Sequence, residues 1–158
     1  MAERYPLESL LTVRHYREDE AARAVAQAQH QLKAAREAVS EQEEALRQWR
    51  RWRQEEVQRR YEALLGKVVS VKKLFEFNQG LAELNQQELD RAAAVEKARE
   101  NERSCEKQMT KAKDAASQAR KNAAKIETHR SIWMQEAKRE AERLEDLEFE
   151  EFKAPRKM

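Results

Sequence analysis

An all-α fold is predicted: two long helices forming an antiparallel coiled-coil hairpin, the second helix longer. Three observations predict it. Charged residues make up 39% of the 158-residue chain and aromatics 6%, with only two Gly and two Pro, the profile of long helices and not of a thick core. An unbroken seven-residue repeat runs from Leu74 to Leu147. A second repeat runs from Leu7 to Trp49, and a glycine- and valine-rich break separates the two.

The first helix is expected over about residues 6–65. Pro6 suits a first helical turn, where its missing N–H is no loss. The seam then reads Leu7, Leu11, Arg14, Glu18, Ala21, Val25, Ala28, Leu32, Ala35, Val39, Gln42, Leu46 and Trp49, ten of the 13 apolar. Asp19 with Arg23, Glu43 with Arg47, Glu55 with Arg59 and Glu56 with Arg60 place an acid four residues before a base. Such pairs support a wet outer face by a few tenths of a kcal/mol each. Beyond Trp49 the apolar positions resume at Val57, Tyr61 and Leu64, which reads as a stutter in the coiled coil.

The turn is expected at about residues 66–71. Gly66 is a good helix-ending residue, Val68, Val69 and Val71 are poor helix formers, and Ser70 is suited to cap a new helix. Asn78-Gln79-Gly80 is the rival break, but the repeat passes straight through it.

The second helix is expected over about residues 72–151. One half of its seam is Leu74, Leu81, Glu88, Val95, Glu102, Met109, Ala116, Ala123, Arg130, Ala137 and Leu144. The other half is Phe77, Leu84, Arg91, Ala98, Cys105, Ala112, Ala119, Ile126, Trp133, Glu140 and Leu147. Apolar residues fill 17 of these 22 places, whereas the chain's 40% apolar content would fill about 9. A repeat held this long requires a partner along its length, over more than about 100 Å at the helical rise. Residues 152–158, with Pro155 and the basic Arg156-Lys157, are expected to fray. The whole, 1–158, reads as a single hairpin.

Folding about residue 68 lays the alanines between Ala21 and Ala38 against residues near 99–116, where alanine is again frequent. It places Leu7 near residue 129 and leaves residues from about 131 to 150 without a partner. That stretch keeps Trp133, Ala137, Leu144 and Leu147, with Phe149 and Phe152 nearby, an apolar stripe that invites another protein.

The chemistry of catalysis is missing. No glycine-rich phosphate loop or nucleophile signature occurs, so no enzyme activity and no cofactor is expected. A hairpin brings His15 toward His129, but no accompanying ligands make a metal site. Cys105 sits in the seam as a small apolar residue, and a lone cysteine fits a reducing compartment. No run of apolar residues is long enough to span a membrane, and the N-terminus lacks a signal peptide's apolar core. A cytoplasmic protein is expected. Lysine plus arginine total 32 against 30 acids, a balance that argues against nucleic acid as the main partner.

The candidates for binding are therefore protein contacts. Trp49, Arg50, Trp52 and Arg53 interleave bases with aromatics; nucleic-acid stacking is the alternative use of such a run. Leu74, Phe75 and Phe77 crowd the start of the second helix, with Phe75 directed away from the core. Trp133, Leu144 and Leu147 mark the unpaired stripe, whose later part is interleaved with the acids Glu140, Glu142, Glu145, Asp146, Glu148, Glu150 and Glu151.

Pro6-Leu7-Glu8-Ser9-Leu10-Leu11-Thr12-Val13-Arg14, then Arg17 and Ala21-Ala22, resembles the start of the YscO (SctO) family of type III secretion stalk proteins, counterparts of flagellar FliJ. The glycine-centred break with Lys72-Lys73-Leu74, and Trp133 with glutamates running to Glu150-Glu151, are similar too. The resemblance spans nearly the whole chain. It implies an antiparallel two-helix coiled coil like the gamma subunit of rotary ATP synthases. It further implies a monomer in the bacterial cytosol at the base of a membrane-embedded apparatus. There it would link a hexameric secretion ATPase to the cytoplasmic ring of the export gate and stimulate the ATPase. The end carrying both termini would enter the ATPase ring and the tip would face the gate. Some members also bind export chaperones, so an escort role is the alternative. A nucleic-acid-binding or homodimeric tethering coiled coil stands behind both. The arginines at 47–60 match no family motif.

Overall fold

A computed structural model describes residues 4–153. It contains two helices, α1 over Glu8–Leu64 and α2 over Val71–Lys153, packed against each other as a hairpin with the second longer. Residues 65–70 connect them. Phe152 and Lys153 are the last helical residues; Pro155, Arg156 and Lys157 lie outside the described residues. Contacts among the described residues gather into two compact units, one from residues 4–26 and 111–153, the other from residues 27–110.

Pro6 does not enter the helix. The Glu8 amide donates to the Tyr5 carbonyl at 3.2 Å, so Pro6 holds the second corner of a β-turn, where its fixed φ is equally suited. That turn sends Tyr5 onto α2. In the terminal unit Tyr5 meets Trp133, ring centroids 5.6 Å apart, and Glu8 accepts from Arg130 at 3.0 Å. Leu11 and Ala123 are buried in the same unit, with Ala21, Val25, Ala112, Ala116, Ala119 and Ile126 half-buried.

In the other unit the core is Ala28, Leu32, Ala35, Val39, Leu46 and Trp49 from α1 with Leu84, Val95, Cys105 and Met109 from α2. Polar pairs along the seam report its register: Arg36 with Glu102, Glu43 with Arg99, Arg50 with Glu88, Arg53 with Asn85. Past Trp49 residues of both the earlier phase and the shifted apolar phase are half-buried. Arg53, Glu56 and Arg60 continue the seam at heptad spacing, with Val57 and Leu64 half-buried, while Tyr61 is exposed. Charged side chains can occupy those positions because they pair with one another and their long stems cover apolar surface.

Leu65 donates to Tyr61 and Glu62 as α1 ends, and Gly66 takes the left-handed φ of 73°. A side chain there would crowd the following carbonyl. Ser70 caps α2, its hydroxyl accepting from the Lys73 amide at 3.2 Å. Leu74, read as core, is 48% exposed. Seam burial on α2 starts a turn later at Phe77, which is half-buried, and Tyr61 near the end of α1 is exposed as well. Helix α2 runs uninterrupted through Gly80, where an added Cβ would meet the Arg60 Nη1 at 3.0 Å.

Several local ion pairs form at a three-residue spacing in place of the four expected: Glu44 with Arg47, Glu56 with Arg59, Glu140 with Arg143. Glu43 reaches across to Arg99 at 3.0 Å instead of to Arg47. Glu56 with Arg60 forms as read, at 2.9 Å.

The two glycines should respond oppositely to alanine. Gly66→Ala forces a Cβ into the left-handed region and should lower stability by about 1 kcal/mol. Gly80→Ala asks only the flexible end of Arg60 to move and should raise it by up to about 1 kcal/mol. Thermal melts followed by circular dichroism read both, and melting shifts of the same sign would contradict this account.

Candidate partner-binding surfaces

The sequence candidates fall in three places. On α1, Trp49 is buried at 7% and belongs to the seam, with the Arg91 guanidinium 5.5 Å and that of Arg53 6.0 Å from its ring centre. Arg91, a charged exception in the repeat, therefore lies over an aromatic face, a favourable placement for a cation. Trp52, its ring 6.4 Å from Trp49, is 46% exposed. Arg50 and Arg53 converge on Glu88, Arg50 Nε at 2.9 Å, and Arg53 also donates to Asn85. The arginine run is thus largely engaged within the molecule, and Trp52 is its outward aromatic.

Around the connection, Leu65, Val68, Val71, Leu74 and Phe75 are all exposed, Phe75 at 62%, while Phe77 is half-buried. Lys67, Lys72 and Lys73 lie among them, so this surface is apolar and basic together.

On α2, Trp133 is half-buried because Tyr5 packs edge-on against it. The partner of Trp133 is thus supplied by the residues before α1, and Ala137 is half-buried beyond it. Full exposure begins at residue 138, not near 131, and every residue from there to Lys153 is exposed. Leu144 and Leu147 are 50% and 42% exposed, with Phe149 and Phe152 more so.

Tyr5 is the residue that the periodicity missed. It is 4% exposed, the Tyr5 hydroxyl is hydrogen-bonded to His129 Nδ1, and the two rings lie 5.6 Å apart. An aromatic beside Pro6 was its one signal, and it stands outside the helix. His15 faces Glu127 at 2.9 Å and Glu18 at 3.8 Å. Among the described residues no cluster of His, Cys, Asp or Glu is placed to hold a metal ion, and no helix is long and apolar enough to cross a membrane.

The electrostatics are those of a solvated surface. Hydrogen bonds from Arg47 hold the Glu44 carboxyl below the ordinary glutamate value, those from Arg59 and Arg60 do so for Glu56, and that from Arg143 does so for Glu140. Tyr16 is raised by a hydrogen bond to Glu20 and by its charge.

Tyr5→Ala should cost about 3 kcal/mol, by loss of a buried aromatic, and Tyr5→Phe about 1 kcal/mol, by loss of one hydrogen bond. Chemical denaturation of each variant measures both. The depressed glutamates bind protons more weakly folded than unfolded, so their contribution is present at neutral pH. It should disappear as pH falls below the ordinary value of 4.5 through the lower folded values. Melting temperatures across an acid series check the sign. The Glu44→Gln/Glu56→Gln/Glu140→Gln variant should lose less stability on acidification than the parent.

The fold and these surfaces can be set beside known proteins. The family described as type III secretion protein YscO matches residues 7–155. No curated protein sequence matches the chain. A solved structure of a YscO homolog, CT670 from Chlamydia trachomatis, superposes with a TM-score of 0.77 at 24% identity, covering 96% of this chain and 93% of that one. At that identity the likeness speaks for the fold, while the family match covers nearly every described residue. The chain belongs to the YscO family of type III secretion proteins.

Proposed function

We propose that this protein is a non-enzymatic central stalk of a type III secretion ATPase complex, linking the hexameric ATPase to the export gate and coupling to its hydrolysis. The family places it in type III secretion, and one observation supports the finer reading. Helix α2 continues past its half-buried seam as a wholly exposed segment bearing Leu144, Leu147, Phe149 and Phe152. An exposed helical segment with large apolar side chains is suited to the interior of a ring. The apolar and basic surface around Gly66 to Phe77 would face the gate. A single asymmetric helix pair inside a symmetric hexamer favours some subunit interfaces over others, and that difference in contact energy biases which of them close. The setting is the bacterial cytosol, and the working species a monomer.

A second reading is an export-chaperone escort, favoured by the exposure of Trp52 and Phe75 away from the last turns of α2. The two separate by mutation. Stoichiometric addition of the protein should stimulate the cognate ATPase and increase its hexamer fraction. Leu144→Asp with Leu147→Asp should weaken that stimulation about tenfold in apparent affinity. Trp52→Ala with Phe75→Ala should leave it unchanged and instead reduce chaperone capture if the escort reading holds. Hydrolysis and oligomer size unaltered by the parent protein would end the coupling idea.

A further inference from the structure

Two side chains in the described structure bury a guanidinium Nε with no acceptor, Arg14 and Arg53. Their surroundings differ. Arg53 gives its terminal nitrogens to Glu88 and Asn85, so its charge is answered within the chain. Arg14 sits at a seam position of α1, half-buried, and its Nε finds no acceptor among the described residues. The ion pairs of its unit join His15 to Glu18 and Glu127, Glu8 to Arg130 and Glu140 to Arg143. Among the described residues none of these uses Arg14 or its neighbour Arg17. A partly desolvated cation without a counter-charge is unfavourable, and a carboxylate brought to it gains a charge-assisted hydrogen bond.

Arg14 and Arg17 line a notch of about 240 Å³ with Ala115, Gln118, Ala119 and Asn122. Its polar lining is two guanidiniums and two amides, with no carboxylate. Gln118 donates to the Asn122 carbonyl at 3.1 Å, which leaves the Asn122 amide nitrogen for an incoming acceptor. Around the notch α2 is strongly basic: Lys111, Lys113, Arg120, Lys121 and Lys125 stand against one acid, Asp114, between residues 111 and 125. Those residues of α2 sum to +4, whereas Glu18, Asp19 and Glu20 follow Arg17 on α1 and the whole chain carries +2.

We infer that this notch is a docking site for an Asp or Glu side chain of an acidic protein partner. The carboxylate is held by Arg14 and Arg17 and its methylene stem lies on Ala115 and Ala119. The two alanines favour a side chain over the phosphate of a nucleic acid, which brings no apolar stem, and no aromatic in the lining offers a base a stacking surface. The inference rests on the notch and its charge alone and stands apart from the stalk reading.

The full chain, titrated at low salt into a fluorescein-labelled alternating Glu/Ala peptide, should bind it with rising anisotropy. Arg14→Gln with Arg17→Gln should weaken binding by about tenfold or more, while Lys111→Gln with Lys113→Gln, an equal change of charge, should weaken it less than about threefold. Circular dichroism verifies that each variant is helical. Arg17→Gln alone, at an exposed position, should still show about a threefold loss if the double variant does not fold. The Arg14 Nε–H resonance should shift as the parent protein is saturated. Equal losses in the two double variants, absence of peptide binding, or tighter binding of a single-stranded oligonucleotide of matched charge would overturn the assignment.

Discussion

Two helices can offer each other only one stripe apiece, and every other feature of this protein follows from that constraint. Burial is confined to side chains along the facing stripes. Among the described residues Ala123 at 1% is the most enclosed, and no large side chain is shut off completely. A seam of this kind contributes turn by turn, each layer supporting mainly its neighbours, as in other quasi-linear architectures. It also tolerates charge where a compact core would not. Arg53 and Glu88 occupy interhelical places because solvent remains within reach of both and their partners lie across the seam.

The same narrowness decides what is left for function. What the described residues offer is a set of surfaces. Three are distinct. The connection displays apolar side chains among lysines. The last turns of α2 display leucines and phenylalanines among seven acids between Glu140 and Glu151. The notch beside Arg14 displays cations over alanine. The three differ in charge and in apolar content.

Local sequence determined much of this. Heptad spacing reported both helices, the antiparallel pairing and the greater length of α2, since a helix of that length can bury an apolar stripe only against another helix. Gly66 and Ser70 marked the connection through backbone preferences that act within a few residues. Cys105, Val95 and Leu84 were legible as seam residues for the same periodic reason, and they are buried.

Tertiary structure decided what periodicity cannot encode. Whether Tyr61 or Arg60 turns inward depends on what α2 presents opposite, and there it presents Gly80, whose missing side chain leaves room for a guanidinium. Whether Trp133 is free depends on Tyr5, more than a hundred residues away in sequence and outside any helical repeat. Whether Arg14 and Arg53 are answered depends on which side chains the other helix brings: Glu88 pairs with Arg53, and among the described residues the Arg14 Nε finds no acceptor. Hydrophobic spacing is a property of one strand of sequence. Pairing between charges is a property of two strands in register, and it exists only once they have met.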